Sequence, residues 1–254
     1  GADMISGEKY RAALSVAAGA LSEVLTPGTA YGSAARLARR LEREVGRFLA
    51  RADSGEVSFV TEVLQSGNNR HILEDSTALY SEELRRTKRT AMCGKEPLVF
   101  RAASLYIERI GESRFDSALC RAFGDAVCMC TELSYTDIFS LKAMLCAALL
   151  IGAARGKAEN AEALDGVFSS LRTVSVFDFD LCLSHSEAEK HLLLDPSGDY
   201  SVMTKGTKNI YRNEVARRAR LSGKSDCEIA AEALDKARAA DREMRISGKG
   251  LSET

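Results

Sequence analysis

The stretch AMLCAALLIGAA, residues 143–154, is the longest apolar run in the chain and decides what kind of protein the rest can be. It is about twelve residues long, whereas a helix crossing a bilayer needs about twenty. It therefore reads as a helix buried in a protein core, and no other run is long enough to suggest a membrane span. A helix that is apolar all round needs partners on every side, and the sequence to either side supplies them.

Working outward, apolar residues recur at three- and four-residue steps. Tyr10, Leu14, Ala17, Leu21 and Val24 predict an amphipathic helix over 6–25, ended by Thr26-Pro27-Gly28. Leu37, Leu41, Val45 and Phe48 predict a second over 33–51, with arginines on its other side. Further helices are predicted from about Val57, over His71–Thr90, over Leu98–Ile110 behind Pro97, over the segment ending in Cys130, and from Ser134 through the apolar run to Gly152–Gly156. Later ones are predicted over Asn160–Thr173, Asp178–Leu194 and Thr207–Leu221, the last stopped by Gly223. Ser225-Asp226-Cys227-Glu228 is a capping box for a final helix to about Met244. Cys93–Pro97 reads as a loop.

Composition agrees. The chain has 254 residues, is 45% hydrophobic, and has no tryptophan and three prolines, the usage of helices rather than of a sandwich or barrel. The expected fold is all-α, a multi-helix bundle or a stack of antiparallel α-hairpins. The expected organisation is a tag over 1–5, an N-terminal helical part over 6–155 and a C-terminal part over 156–246. A tyrosine-bearing loop over 195–206 and a frayed tail over 247–254 complete it.

The net charge of −1 gives no global drive toward nucleic acid, so an electrostatic partner would need a local patch. Arg36–Glu44 and Lys205–Arg220 are such patches, each interleaved with apolar residues as on a solvated helix face. A module using the Arg36–Arg51 and Arg212–Arg220 faces to hold nucleic acid or an acidic partner is the alternative function. The seven cysteines are an odd number in apolar helical context, which points to buried thiols in a reducing, cytoplasmic setting. Cys128 and Cys130 would point about 200° apart on a helix, so no metal site is expected there. His71, His185 and His191 lie on polar faces without catalytic company. Asp178-Phe179-Asp180 resembles a D-x-D metal motif, which a third reading, an independent metal-dependent enzyme, would require. A helix N-terminus with acidic residues explains it more simply.

Residues 195–212, DPSGDYSVMTKGTKNIYR, break the helical pattern. Asp195, Pro196 and Gly198 have turn chemistry, and Tyr200, Met203 and Tyr211 stand on a segment predicted to be extended. The tyrosines read either as hydrogen-bonded anchors or as phenols presented to another molecule.

This block resembles the D-P-x-G-x-Y-x-x-M-D-F-x-T-R-D-x-Y-R block of the large cyclic β-1,2-glucan synthases, without a gap from Asp195 to Arg212. Leu98–Asp116, Leu133–Leu150 and Ser170–Phe179 are similar to further segments of that family in the same order, covering roughly residues 70–240. The chain differs at Thr204-Lys205 (Asp-Phe in the family), at Lys208-Asn209 (Arg-Asp) and at Phe139 and Phe179 (Trp).

The resemblance implies a helical accessory region, non-catalytic by itself, of a parent at the inner membrane whose transferase domain uses UDP-glucose and a divalent metal. It implies that transferase domain and a β-glucan chain as partners. Tyr200, ahead of Tyr211, becomes a candidate acceptor for a protein-linked glucan primer, with Lys208, Arg212, Arg217 and Arg218 as candidate binding residues. Neither catalytic residues nor a metal site are implied within the chain.

Overall fold

The computed structural model describes residues 2–112 and 114–250. Among the described residues it is predominantly helical, 76%, with one small three-stranded sheet. The chain divides into two compact units, one made of Gly1–Val127 and Asp137–Phe179, the other of Cys128–Thr136 and Asp180–Thr254.

The first unit contains helices α1 (Ala2–Val24), α2 (Ala35–Asp53), α3 (Ser58–Gln65), α4 (Asn69–Arg86), α5 (Leu98–Ile110) and most of α6 (Ser117–Met129). The short helix α7 (Tyr135–Phe139) begins in the second unit, and α8 (Leu141–Ala154) and α9 (Ala161–Val176) return to the first. Helix α8 is the apolar run. It packs against α2, α4, α5 and α9, and all its residues except Lys142 and Gly152 are buried. Burying a leucine side chain contributes roughly 1.5–3 kcal/mol, so the fully covered Leu141, Leu145 and Leu150 make this helix the centre of the unit.

The stretch read as a loop, Cys93–Pro97, holds part of the sheet. Strands β1 (Tyr31–Gly32), β2 (Thr90–Cys93) and β3 (Glu96–Pro97) pair antiparallel in that order. Gly94, at φ 63°, opens the two-residue turn between β2 and β3, where a first central residue with positive φ suits the strand twist. Strand β2 ends α4 at Arg86, short of the expected Thr90. Its anchor is the fully buried Asp137, whose carboxylate accepts from the Thr90 hydroxyl at 2.6 Å and the Ala91 amide at 2.7 Å.

The second unit contains a 3-10 helix (Phe179–His185, from Asp180 on), α10 (Glu187–Leu193), α11 (Asp199–Val202), α12 (Lys205–Ser222) and α13 (Asp226–Gly250). Helix α13 packs on α10 and α12. Its capping box forms as expected: the Glu228 amide donates to the Ser225 hydroxyl at 3.2 Å, and the Ser225 amide donates to the Glu228 carboxylate at 2.8 Å. Gly223, at φ 71°, ends α12.

Several boundaries differ from expectation. The helix expected over 178–194 is two elements meeting at Ser186, whose extended backbone (ψ 129°) precedes α10. The boundary expected near 152–159 falls inside the first unit, because α8 and α9 pack on one another and Asn160 caps α9 by accepting from the Ala163 amide at 2.9 Å. Of the expected tag, Gly1 lies outside the described residues and α1 starts at Ala2. Of the expected tail, 251–254 lie outside them and α13 runs to Gly250.

Candidate functional site

The second unit is built around a buried carboxylate. Glu189 on α10 is 3% exposed and faces Arg212 on α12, which is 5% exposed. The guanidinium grips it with two parallel hydrogen bonds, Nε to Oε2 at 2.9 Å and Nη2 to Oε1 at 2.6 Å. Two phenols complete the cluster. The Tyr135 hydroxyl donates to Glu189 Oε2 at 3.0 Å, and the Tyr200 hydroxyl donates at 3.1 and 3.2 Å to the two oxygens. A carboxylate has about four lone-pair sites, and these four donors, two from the guanidinium and one from each phenol, fill them. Glu189 is therefore a structural hub whose acceptor sites are engaged within the unit.

Electrostatics follow from this closure. Burial alone would lower the Arg212 pKa, but the Glu189 carboxylate outweighs it and holds the cation firmly protonated. Burial, reinforced by Glu189, pushes the Tyr135 and Tyr200 phenols well above the ordinary tyrosine range. The remaining guanidinium donor is also used, Arg212 Nη1 donating to Asn209 Oδ1 at 2.8 Å.

The turn ahead of the cluster is organised by Asp195. Its carboxylate accepts from the Ser197 hydroxyl at 2.6 Å and from the amides of Ser197 and Tyr200, each at 3.4 Å, and these bonds hold its carboxyl below the usual range. Gly198, at φ 74°, supplies the left-handed residue of the reversal. The segment that follows is not extended: Asp199–Val202 makes one helical turn, and Thr204 caps α12 by accepting from the Thr207 amide at 3.3 Å. The loop expected over 195–206 is thus a turn, a short helix and a helix start.

The structure separates the two candidate acceptors. Tyr200, ranked ahead of Tyr211 as acceptor candidate, is 3% exposed with its hydroxyl committed to Glu189, the arrangement of the anchor reading. Tyr211 is 46% exposed, and its ring stands edge-on to Tyr200 with centroids 5.8 Å apart.

Among the candidate binding residues, Arg212 is no surface cation at all, being buried in the clamp. Lys208 lies over the Tyr200 ring at 5.6 Å and donates to the Ser201 carbonyl at 3.0 Å. Arg217 and Arg218 are exposed, but both rest on Glu214 at 2.7 Å and hold its carboxyl at about 2.

The other chemical candidates are dispersed or engaged. Asp178 is exposed, and Asp180 pairs with Lys205 at 2.8 Å. Among the described residues, no group of three or more His, Cys, Asp or Glu side chains could hold a metal ion. Burial pushes the Cys120, Cys130 and Cys146 thiols up to about 12, so none is a ready nucleophile. A groove of about 550 Å³ in the first unit has Phe100, Phe115 and Leu149 in its lining. Of its lining cations, Arg40 and Arg101 pair with Glu96 and Lys157 with Glu108.

Two members of the cluster, Glu189 and Tyr135, were not singled out by the sequence. A signal existed for their partner: Arg212 stands three and seven residues before Val215 and Ala219, the other two buried positions of α12. An arginine on an inward stripe requires a buried acid. Comparison with known proteins adds no second line of evidence, since no family model, curated protein or solved structure matches the chain.

Proposed function

We propose that this chain is a non-catalytic helical accessory domain of a membrane-bound, cyclic β-1,2-glucan synthase-like glycosyltransferase, cytoplasmic in location and acting as a scaffold for the UDP-glucose-dependent domain of its parent. The observation that carries the reading is that the residues bearing the resemblance are those that lock the second unit. Asp195 ties the turn, and Tyr200 and Arg212 close on Glu189.

The departures from the family block support it as well. Thr204 stands where the family has Asp and caps α12, a role either residue can fill. Asn209 stands where the family has Asp and offers Arg212 the same kind of acceptor oxygen. In this reading the block is an architectural element, and Tyr211 replaces Tyr200 as the phenol able to meet a glucan chain or the transferase domain.

The test uses the natural gene product that contains these residues, purified in its membrane and supplied with UDP-glucose. The expected result is a β-1,2-linked glucan, with no turnover by the 254-residue chain alone. A natural product that makes no glucan from UDP-glucose, or that has no transferase region, overturns the proposal. Peptide mapping after the reaction addresses priming separately: hexose on Tyr211 and none on Tyr200 is expected, and an unmodified Tyr211 ends the acceptor role while leaving the scaffold.

A further inference from the structure

The water-facing side of α2 is almost entirely arginine. At roughly 100° per residue, Arg36, Arg39, Arg40, Arg43, Arg47 and Arg51 all fall within an arc of about 120°, interrupted only by Ala50. The opposite side carries the buried Leu37, Leu41, Val45 and Phe48, so the arc cannot turn inward. From Arg36 to Arg51 it runs about 22 Å along the helix.

Neighbouring acids neutralise only part of it. Glu96 engages Arg40, Glu56 meets Arg51 at 3.3 Å, and Glu44 approaches Arg43 at 3.9 Å. Glu42 is turned to Arg85 of α4. Among the described residues, Arg36, Arg39 and Arg47 have no ion pair. The Thr87 carbonyl, accepting from the Ala34 amide at 3.0 Å, brings Lys88 and Arg89 to the start of α2 and enlarges the patch. This differs from Arg217 and Arg218 of α12, which Glu214 satisfies from within their own helix.

We infer that this arginine face is a docking surface for the anionic phosphate headgroups of a bilayer, holding the first unit flat against the membrane without insertion. Charge complementarity gives the sign of the partner. The choice of a bilayer over other polyanions rests on the membrane-bound parent proposed above and on two features of the face. α2 is packed by α3, α4, α8 and β3, so it offers a broad surface rather than a free helix able to enter a nucleic-acid groove. Within α2 no aromatic side chain stands among the six arginines for a base to stack on, and the aromatic beside the patch, Tyr31, already carries the Arg89 guanidinium 4.3 Å from its ring centre. The face's only large exposed apolar neighbour among the described residues is Tyr31, 43% exposed under Arg89, so attachment would be chiefly electrostatic, scaling with the number of free cations and falling with salt.

The test is co-sedimentation of the whole 254-residue chain with vesicles of equimolar phosphatidylglycerol and phosphatidylcholine, against phosphatidylcholine alone. Binding to the anionic vesicles only, weakened by salt, is expected. The triple variant Arg36→Gln, Arg39→Gln, Arg47→Gln should bind roughly a hundredfold more weakly, about fivefold per cation. The pair Arg217→Gln, Arg218→Gln should bind as the parent chain does.

Circular dichroism checks that the triple variant is folded. If it is not, Arg47→Gln alone must show the fivefold loss. Equal binding to neutral vesicles, no binding to anionic ones, or undiminished binding by the folded variants overturns the inference. So does tighter binding to duplex DNA or single-stranded RNA at the same salt, which would make the partner a nucleic acid. Because no UDP-glucose enters this assay, its failure leaves the glucan reading standing, and failure to make glucan leaves the vesicle result standing.

Discussion

The two units hold themselves together by different means. The first is centred on α8, a helix whose buried side chains are aliphatic or small and whose contacts are non-directional. The second has a shorter apolar inventory, among it Leu133, Tyr135, Leu183, Tyr200, Val215, Ile229 and Leu234, and closes around an ion pair with four converging hydrogen-bond donors. An aliphatic core tolerates exchange of one shape for another of similar volume. A buried carboxylate does not tolerate loss of a partner, because the remaining charge is left in a poor solvent. The difference teaches that α10, α11 and α12 are held in one specific arrangement by geometry more than by area.

The sharpest way to break this contrast is Glu189→Ala, which strands the Arg212 cation and should cost about 3–5 kcal/mol. Urea unfolding of the full chain should show the second unit melting first. A loss below about 1 kcal/mol would mean that the clamp is not what holds the unit. In the first unit, Leu145→Ala removes a fully buried side chain from α8 and should cost about 2–5 kcal/mol, whereas Leu145→Met should cost less than about 1.5. Equal damage from the two would show that the first core is as shape-specific as the second.

The tyrosines sharpen the comparison within the second unit. Tyr200→Phe removes one donor to a buried carboxylate and should cost about 1–3 kcal/mol, while Tyr211→Phe should stay within about 0.5. Melting temperatures of the two variants check this, and equal shifts would contradict the burial difference.

The smallest effect concerns acid. The Glu214 carboxyl lies at about 2 when folded against an ordinary 4.5, so its contribution is complete above pH 4.5 and lost as pH falls toward 2. Since this group is exposed, the slope should be shallow, be screened by salt and vanish in Glu214→Gln, as followed by thermal melts across that range.

How much of this was legible beforehand differs between the same two regions. The apolar stripe of α2, the capping box at Ser225, the stop at Gly223 and the buried run of α8 could all be read because each is a local pattern with a local cause. The three-stranded sheet could not, because β1 and β3 are two residues each and owe their pairing to the distant Asp137 and to the Gly94 turn. The Glu189 cluster was hidden for the same reason. Within SEAEKH, Glu189 has the look of any solvent-facing glutamate, and only Arg212, 23 positions later, and Tyr135, 54 positions earlier, make it interior. Tyr200 stayed open between a buried anchor and a presented phenol, because turn chemistry at Asp195 describes the backbone and not the destination of the ring that follows.

The contribution of 128–136 to the second unit has an effect on synthesis order. The Tyr135 amide donates to Asp226 at 2.6 Å across 91 residues, and its hydroxyl waits for Glu189. As the polypeptide leaves the ribosome, the first unit has all its segments once Phe179 has emerged, while the nine-residue piece from mid-chain stays without its mates until α13 has begun. Cutting the gene after Phe179 would thus yield one fragment with stranded polar groups and another lacking a wall of its own interior.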